Sequence, residues 1–309
     1  MIGNHFRTAL LLTVLTLIIM FIGQMLGGTG GMFIALIFAG GMNFFSYWHS
    51  DKIVLKMYKA RKADSQSAPE LYGIVGELAQ KAGLPMPRVY IIPQQAPNAF
   101  ATGRNPDHAV VAVTEGLLRY MNNREIAGVI AHELGHVRNR DILIGSIAAT
   151  MAGAIMMIAN FARFAAIFGG ITRDEGEGGG IFGLIAMSII APVAAMLVQM
   201  AISRSREYMA DATSADITRD PDGLASALEK LGSYGKKIPM EAEPATAHMF
   251  IANPLGARRG LTHLFSTHPP IEQRIARLRG QNPGPENHSR PRSPSAEARA
   301  KQFWDRLSG

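Results

Sequence analysis

Four stretches of the chain are apolar and nearly uncharged over about the length needed to cross a hydrocarbon core of roughly 30 Å. They lie at about 10–26, 32–48, 142–162 and 181–202. The first follows a short stretch carrying Arg7 and ends among small residues, as a cleaved signal peptide would. A second apolar run follows at once across Gly27, Gly28, Thr29 and Gly30, which favours a retained hairpin. The third and fourth runs are joined by Arg173-Asp174-Glu175-Gly176-Glu177 and three glycines, and read as a second hairpin.

The remaining sequence is periodic on a shorter scale. Glu70 to Ala82 repeats at a helical period and stops at Gly83, with Pro85 and Pro87 beyond. Val89 to Ile92 and Ala109 to Val113 are short apolar or β-branched runs bounded by turn residues, and predict strands. Asn98 to Gly103 between them is short enough for an edge strand or a turn. Thr114 is placed to cap a helix from Glu115 to about Met121, and Asn122 or Asn123 to cap the next. Beyond the fourth apolar run the helix is expected to continue through Ala212. A further helix spans Asp222 to about Leu231, and a last one Ile271 to Arg279, after Pro269 and Pro270. Residues 233–260 read as a long loop and a candidate lid. Gln281 to about Ser295 has no apolar period and predicts disorder, and Ala296 to Leu307 could form a short amphipathic helix.

Composition supports this division between membrane and water. Charged residues are 18% of the 309-residue chain, against about 25% in a soluble domain. The 31 basic and 24 acidic residues still exclude a protein lying wholly in lipid. The absence of cysteine excludes disulfides, a cysteine nucleophile, thiolate-ligated zinc and an iron–sulfur cluster. Lys52, Lys56, Lys59, Arg61 and Lys62 follow the second run, Arg138 and Arg140 precede the third, and Arg204 and Arg206 follow the fourth, all on one face. Because cytoplasmic flanks carry the basic excess, both termini, 51–141 and everything after about Ser203 should be cytoplasmic. The net charge of +7 then reports topology, and no nucleic-acid partner is expected.

The candidate chemistry lies in His132-Glu133-Leu134-Gly135-His136, a match to H-E-x-x-H. Histidines at i and i+4 share one helix face and can offer two imidazole nitrogens to one metal ion, while the glutamate can reach a water activated by the ion. Zinc in such a site lowers the pKa of water and polarises a carbonyl, with Glu133 as the base. The bland alternative is a helix that happens to carry two histidines and an acid. The surrounding Ile126-Ala127-Gly128-Val129-Ile130-Ala131 argues against it, since burying those groups is costly unless they are satisfied.

An open zinc site needs a third protein ligand. Glu207 has the best placement. His136 precedes the third run by about six residues and Glu207 follows the fourth by about five, so both would stand at similar heights above the same membrane face. His108, His248, His263, His268 and His288 are the other soluble-side histidine candidates. Asp211, one turn beyond Glu207, is placed to accept the free N–H of a ligating histidine, although an ordinary surface acid pair balanced by Arg204 and Arg206 is the alternative.

With its order of two spans, H-E-x-x-H, two spans and Arg206-Glu207-Tyr208-Met209-Ala210-Asp211, the chain resembles the HtpX branch of the Ste24-like (M48) membrane zinc metalloproteases. Asn98-Ala99-Phe100-Ala101 and Thr267-His268-Pro269-Pro270 extend the resemblance over nearly the whole chain. It implies His132, His136 and Glu207 as ligands of one Zn2+ per chain, Glu133 as catalytic base and Asp211 as support. It also implies a bacterial inner-membrane enzyme acting on misfolded or damaged membrane proteins. Asn98 could orient a peptide paired to an edge strand, or merely cap a turn. His268 could donate to an oxyanion, or be structural.

The expected fold is mostly α with a small β-sheet: a polytopic membrane protein with four transmembrane helices and a zincin-like cytoplasmic catalytic domain. Its expected parts are a hairpin at 1–50, a catalytic part with the H-E-x-x-H helix at 51–141, a second hairpin at 142–202, completion of the catalytic part at 203–280 and a largely disordered tail at 281–309. Two rivals remain. A metal-stabilised scaffold would use the motif only to hold helices together. A basic membrane protein would bind anionic lipid or nucleic acid.

Overall fold

The computed structural model describes residues 2–149, 204–243, 246–254 and 268–280. Of the second expected hairpin only 142–149 is described, and the rest of it and the expected tail lie outside these residues. Helix α1 is one helical run, Ile2–Met57, but it is not straight. At 1.5 Å per residue a straight helix would hold Thr16 and Asn43 about 40 Å apart, yet the Asn43 amide donates to the Thr16 hydroxyl at 2.9 Å. The run doubles back at Gly28, whose φ of +59° is a conformation glycine adopts without penalty. The returning arm, Gly28–Met57, is the one helix among the described residues long and apolar enough to cross a membrane.

The rest is a four-stranded sheet covered on both faces. Its strands are β1 (Arg61–Ala63), β2 (Arg88–Ile92), β3 (Ala99–Thr102) and β4 (Val110–Thr114), in the order β1-β2-β4-β3. β2 and β4 are parallel, and the two outer pairings are antiparallel. Side chains alternate between the faces of a strand. Val89, Ala99, Ala101, Val111 and Val113 therefore enter the core with α2 (Pro69–Lys81) and α4 (Asn123–Arg138). Ile92, Phe100, Val110 and Ala112 face Val54, Leu55 and Tyr58 at the end of α1, together with Phe250. Burial on both faces explains why 110–113 reads as an unbroken apolar run. The short β1 has no such signal, since Arg61 and Lys62 are exposed and only Ala63 is buried.

Helix α3 (Glu115–Tyr120) is capped by the Thr114 hydroxyl. A capping box of Asn122 and Glu125 starts α4. Helix α5 occupies 142–149, and α6 (Arg204–Thr218) and α7 (Pro221–Gly235) both run beyond their expected ends. Helix α8 is Ile271–Leu278. Helix α4 is the hub, packed by α6, α7, α2 and β3. A Cβ at Gly135 would lie 3.1 Å from the Ala210 Cα, so the absent side chain lets α6 approach α4 at the level of the two histidines.

Candidate metal centre and active site

The buried face of α4 carries the motif. His132 and Glu133 are buried, and the His132 and His136 rings meet edge-on with centroids 4.8 Å apart. Opposite them, the close approach of α6 presents Glu207 and, one turn later, Asp211, both buried. His132, His136 and Glu207 each offer a ligand atom within 4.8 Å of the others. The His132 and His136 Nε2 atoms are 3.3 Å apart. Glu207 Oε1 lies 3.5 Å from His136 Nε2, and Glu207 Oε2 lies 3.7 Å from His132 Nε2.

These separations fit a shared cation. Donor atoms about 2.0–2.1 Å from a tetrahedral zinc are about 3.3 Å from one another. Glu207 Oε2 is buried without a hydrogen-bond partner, an arrangement that is costly unless something else satisfies the oxygen. Two imidazoles and one carboxylate also form the donor set of a metal site with an open position.

Surrounding groups fix the donors. His132 Nδ1 lies 2.9 Å from Asp211 Oδ1, while Asp211 accepts from Arg274 Nε at 2.9 Å and Nη2 at 2.7 Å. Arg274 is fully buried and also donates from Nη1 to the Ile251 carbonyl at 3.1 Å. Burial opposes ionisation of Asp211, but Arg274 and His132 outweigh it and hold the carboxyl well below its usual range. Glu207 is likewise opposed by burial yet held down to about 2 by the facing His268, His136, Arg274 and His132. His132 is pulled down to about 4 by burial and the Arg274 charge, against the pull of Asp211. Burial would lower His136 too, but Asp141, Glu207 and Glu133 raise it to about 9. Burial pushes Glu133 up to about 7, with the Glu207 charge adding and His136 and an Ala101 backbone hydrogen bond opposing.

The site opens into a narrow cleft of about 60 Å³, whose lining includes Ala101, Glu133, Arg206, His248 and His268. His268 Nε2 is 3.7 Å from Glu207 Oε2. Burial lowers its pKa, opposed by Glu207 and reinforced by Arg274. Asn98 is placed differently. Its buried amide donates to the Ala252 carbonyl at 2.9 Å and accepts from the Ala252 N–H at 3.3 Å.

That contact changes the picture of the 233–260 region. Ile251 N donates to the Ala99 carbonyl at 3.0 Å, so the segment docks on the outer edge of β3. Phe250 is fully buried and meets Tyr58 and Phe100 edge-on. Among the described residues the region is therefore a packed strap along the cleft. It holds His248, whose Nε2 lies 3.1 Å from the Gly145 carbonyl.

Sequence reasoning missed Arg274 and Asp141. Arg274 had a signal, because it lies on the stripe of Ile271, Ile275 and Leu278, which pack on the core. Asp141, 3.4 Å from His136 Nδ1 just past the end of α4, had none.

The Peptidase family M48 model matches residues 65–282. A protein named Protease HtpX homolog from Desulforapulum autotrophicum is 64% identical over 308 residues, covering 99% of both chains. One of the same name from Desulfatibacillum aliphaticivorans is 61% identical, again over 99% of each. A third, from Thermococcus kodakarensis, is 58% identical over 88% of this chain and 94% of its own. Among solved structures, S. mikatae Ste24p shares the fold with a TM-score of 0.51 at 17% identity, over 85% of this chain and 62% of that one. From the family match and from relatives this similar over nearly their whole length, the chain belongs to peptidase family M48 and is a metallopeptidase.

Proposed function

We propose that the chain is an integral-membrane zinc metalloendopeptidase that hydrolyses peptide bonds of misfolded or damaged membrane proteins. The observation that carries this reading is the convergence of His132, His136 and Glu207 at 3.3–3.7 Å, with one Glu207 oxygen unsatisfied and Glu133 beside them. Those three residues would hold zinc, which when bound supplies Lewis acidity to water and to the scissile carbonyl. Glu133 takes the proton of the attacking water and passes it to the leaving amine. Asp211 keeps a proton on His132 Nδ1, so that Nε2 is the free donor, and Arg274 keeps Asp211 ionised. His268, which lines the cleft, would donate to an oxyanion.

The membrane part of the reading draws on the apolar Gly28–Met57 helix and on the hairpin contact between Thr16 and Asn43. Four spans, an inner-membrane location and a cytoplasmic catalytic part follow from the apolar runs and their basic flanks. Substrate would enter along β3, where Ala101 reaches the cleft beside Glu133.

The test is Glu133→Gln in the full chain. It should keep the zinc content of the wild type and cleave an unfolded polypeptide about 10²–10⁴-fold more slowly. Cleavage at the wild-type rate would overturn the mechanism. A metal that served only to hold the helices together predicts instead that metal removal unfolds the protein while Glu133→Gln leaves its function intact.

A further inference from the structure

A second cavity, which shares no lining residue with the metal site, lies where α1 leaves its apolar stretch. It is open, about 710 Å³, and is lined by Lys52, Leu55 and Lys56 from the end of α1, by Lys59 just beyond it and by Arg88 and Tyr90 from β2. Lys52 and Lys56, four residues apart, share one face of the helix end, and Lys59 stands two residues beyond the helix in the turn that follows, at φ +52°. Like charges at that spacing repel. Among the described residues none of the three has a carboxylate partner, and the nearby Asp51 is taken by Arg88 at 2.5 Å.

Basic residues beyond a span are expected from topology alone. Topology does not account for Arg88 and Tyr90, which come from a strand far along the chain and close the far wall of the same cavity. Their spacing of two puts both on one face of β2.

Depth identifies the occupant. Trp48 is exposed on α1, and the Arg104 guanidinium of the soluble part stacks over its ring at 4.4 Å. An aromatic ring so placed marks a membrane interface. Lys52 and Lys56 lie about 6 and 12 Å beyond it along the helix, while the headgroup layer on each side of the hydrocarbon is about 5–7 Å thick. The lysine row therefore begins at headgroup depth and leads into the cavity. Leu55 and Tyr90 supply an apolar wall with a hydroxyl at its end.

We propose that this cavity binds the phosphate of an anionic phospholipid headgroup from the leaflet facing the catalytic part, and so clamps β2 and the sheet to the bilayer surface. The proposal rests on the membrane reading above but not on the peptidase chemistry.

The experiment uses the full chain in lipid nanodiscs, with retained lipids counted by native mass spectrometry. Reconstitution in phosphatidylcholine alone tests insertion, and failure there would remove the membrane reading as well as the clamp. With phosphatidylglycerol added, the wild type should retain one such lipid per chain in preference to phosphatidylcholine. The triple variant Lys52→Gln, Lys56→Gln, Lys59→Gln should bind it roughly a hundredfold more weakly, at about a factor of five per charge. The variant should cleave an unfolded substrate in detergent at the wild-type rate, which shows that its fold is intact. Excess inorganic phosphate should leave the lipid in place. Equal lipid retention by wild type and variant, equal retention of phosphatidylcholine, or displacement by inorganic phosphate would each overturn the proposal.

Discussion

Arg274 holds Asp211 by a two-point ion pair, with Nε and Nη2 at 2.9 and 2.7 Å from the two carboxylate oxygens, inside a core where the guanidinium has no solvent exposure. Asp211 in turn contacts His132 Nδ1 at 2.9 Å. The pair thus ties α8 to α6 and, through the histidine, to α4. Removing only the cation leaves two buried carboxylates, Asp211 and Glu207, short of compensation. Arg274→Ala should therefore lower stability by about 3–5 kcal/mol. Arg274→Lys should recover only part of this, because an ammonium cannot make the forked contact. Denaturant unfolding of the detergent-solubilised protein reads both, and a loss below about 1 kcal/mol for the alanine variant would show that the pair is dispensable.

Asn98 separates two accounts of β3. Its amide is spent on Ala252, beside the Ile251 contact to Ala99. The strap it holds covers the edge along which an extended substrate would pair. Asn98→Ala should then loosen the strap and raise the initial rate on an unfolded polypeptide by several-fold, at a stability cost of about 1–3 kcal/mol. A fall in rate with weaker substrate binding would instead mean that the amide orients the peptide.

Glu125 gives an acid-stability test away from the metal ligands. Burial opposes its ionisation, but hydrogen bonds from Lys230, Ser226 and Asn122 prevail and lower its pKa from the ordinary value of 4.5. A carboxyl depressed on folding adds stability that is complete above its unfolded pKa and lost as pH falls through the folded one. Wild-type stability should therefore decline below pH about 4.5. In Glu125→Gln that decline should be shallower but still present, because Glu207 and Asp211 are depressed as well. Unfolding midpoints measured from neutral to acid pH decide it, and identical slopes would remove Glu125 from the account.

Much of the site could be read from local rules. The i, i+4 spacing places His132 and His136 on one face of α4, and the Asn122 and Thr114 caps are visible as residue types before their helices. The strands at 88–92 and 110–114 show as short apolar runs because both sheet faces are buried. What depends on distant packing was less visible. Nothing near Ile251 announces that its N–H docks on Ala99, since a backbone donor has no residue signature. The strap looked like an open loop because Gly235 and Pro239 mask the anchoring role of Phe250. Arg274 was legible in principle as a charge on an apolar stripe, but its partner lies 63 residues away on another helix.

The most direct test of the central claim is the metal content of the purified full chain beside Glu207→Ala. If Glu207 is the third ligand, the wild type should carry one zinc per chain. Glu207→Ala should lose most of its zinc while Glu133→Gln keeps it. Zinc content in Glu207→Ala equal to that of the wild type would contradict the assignment.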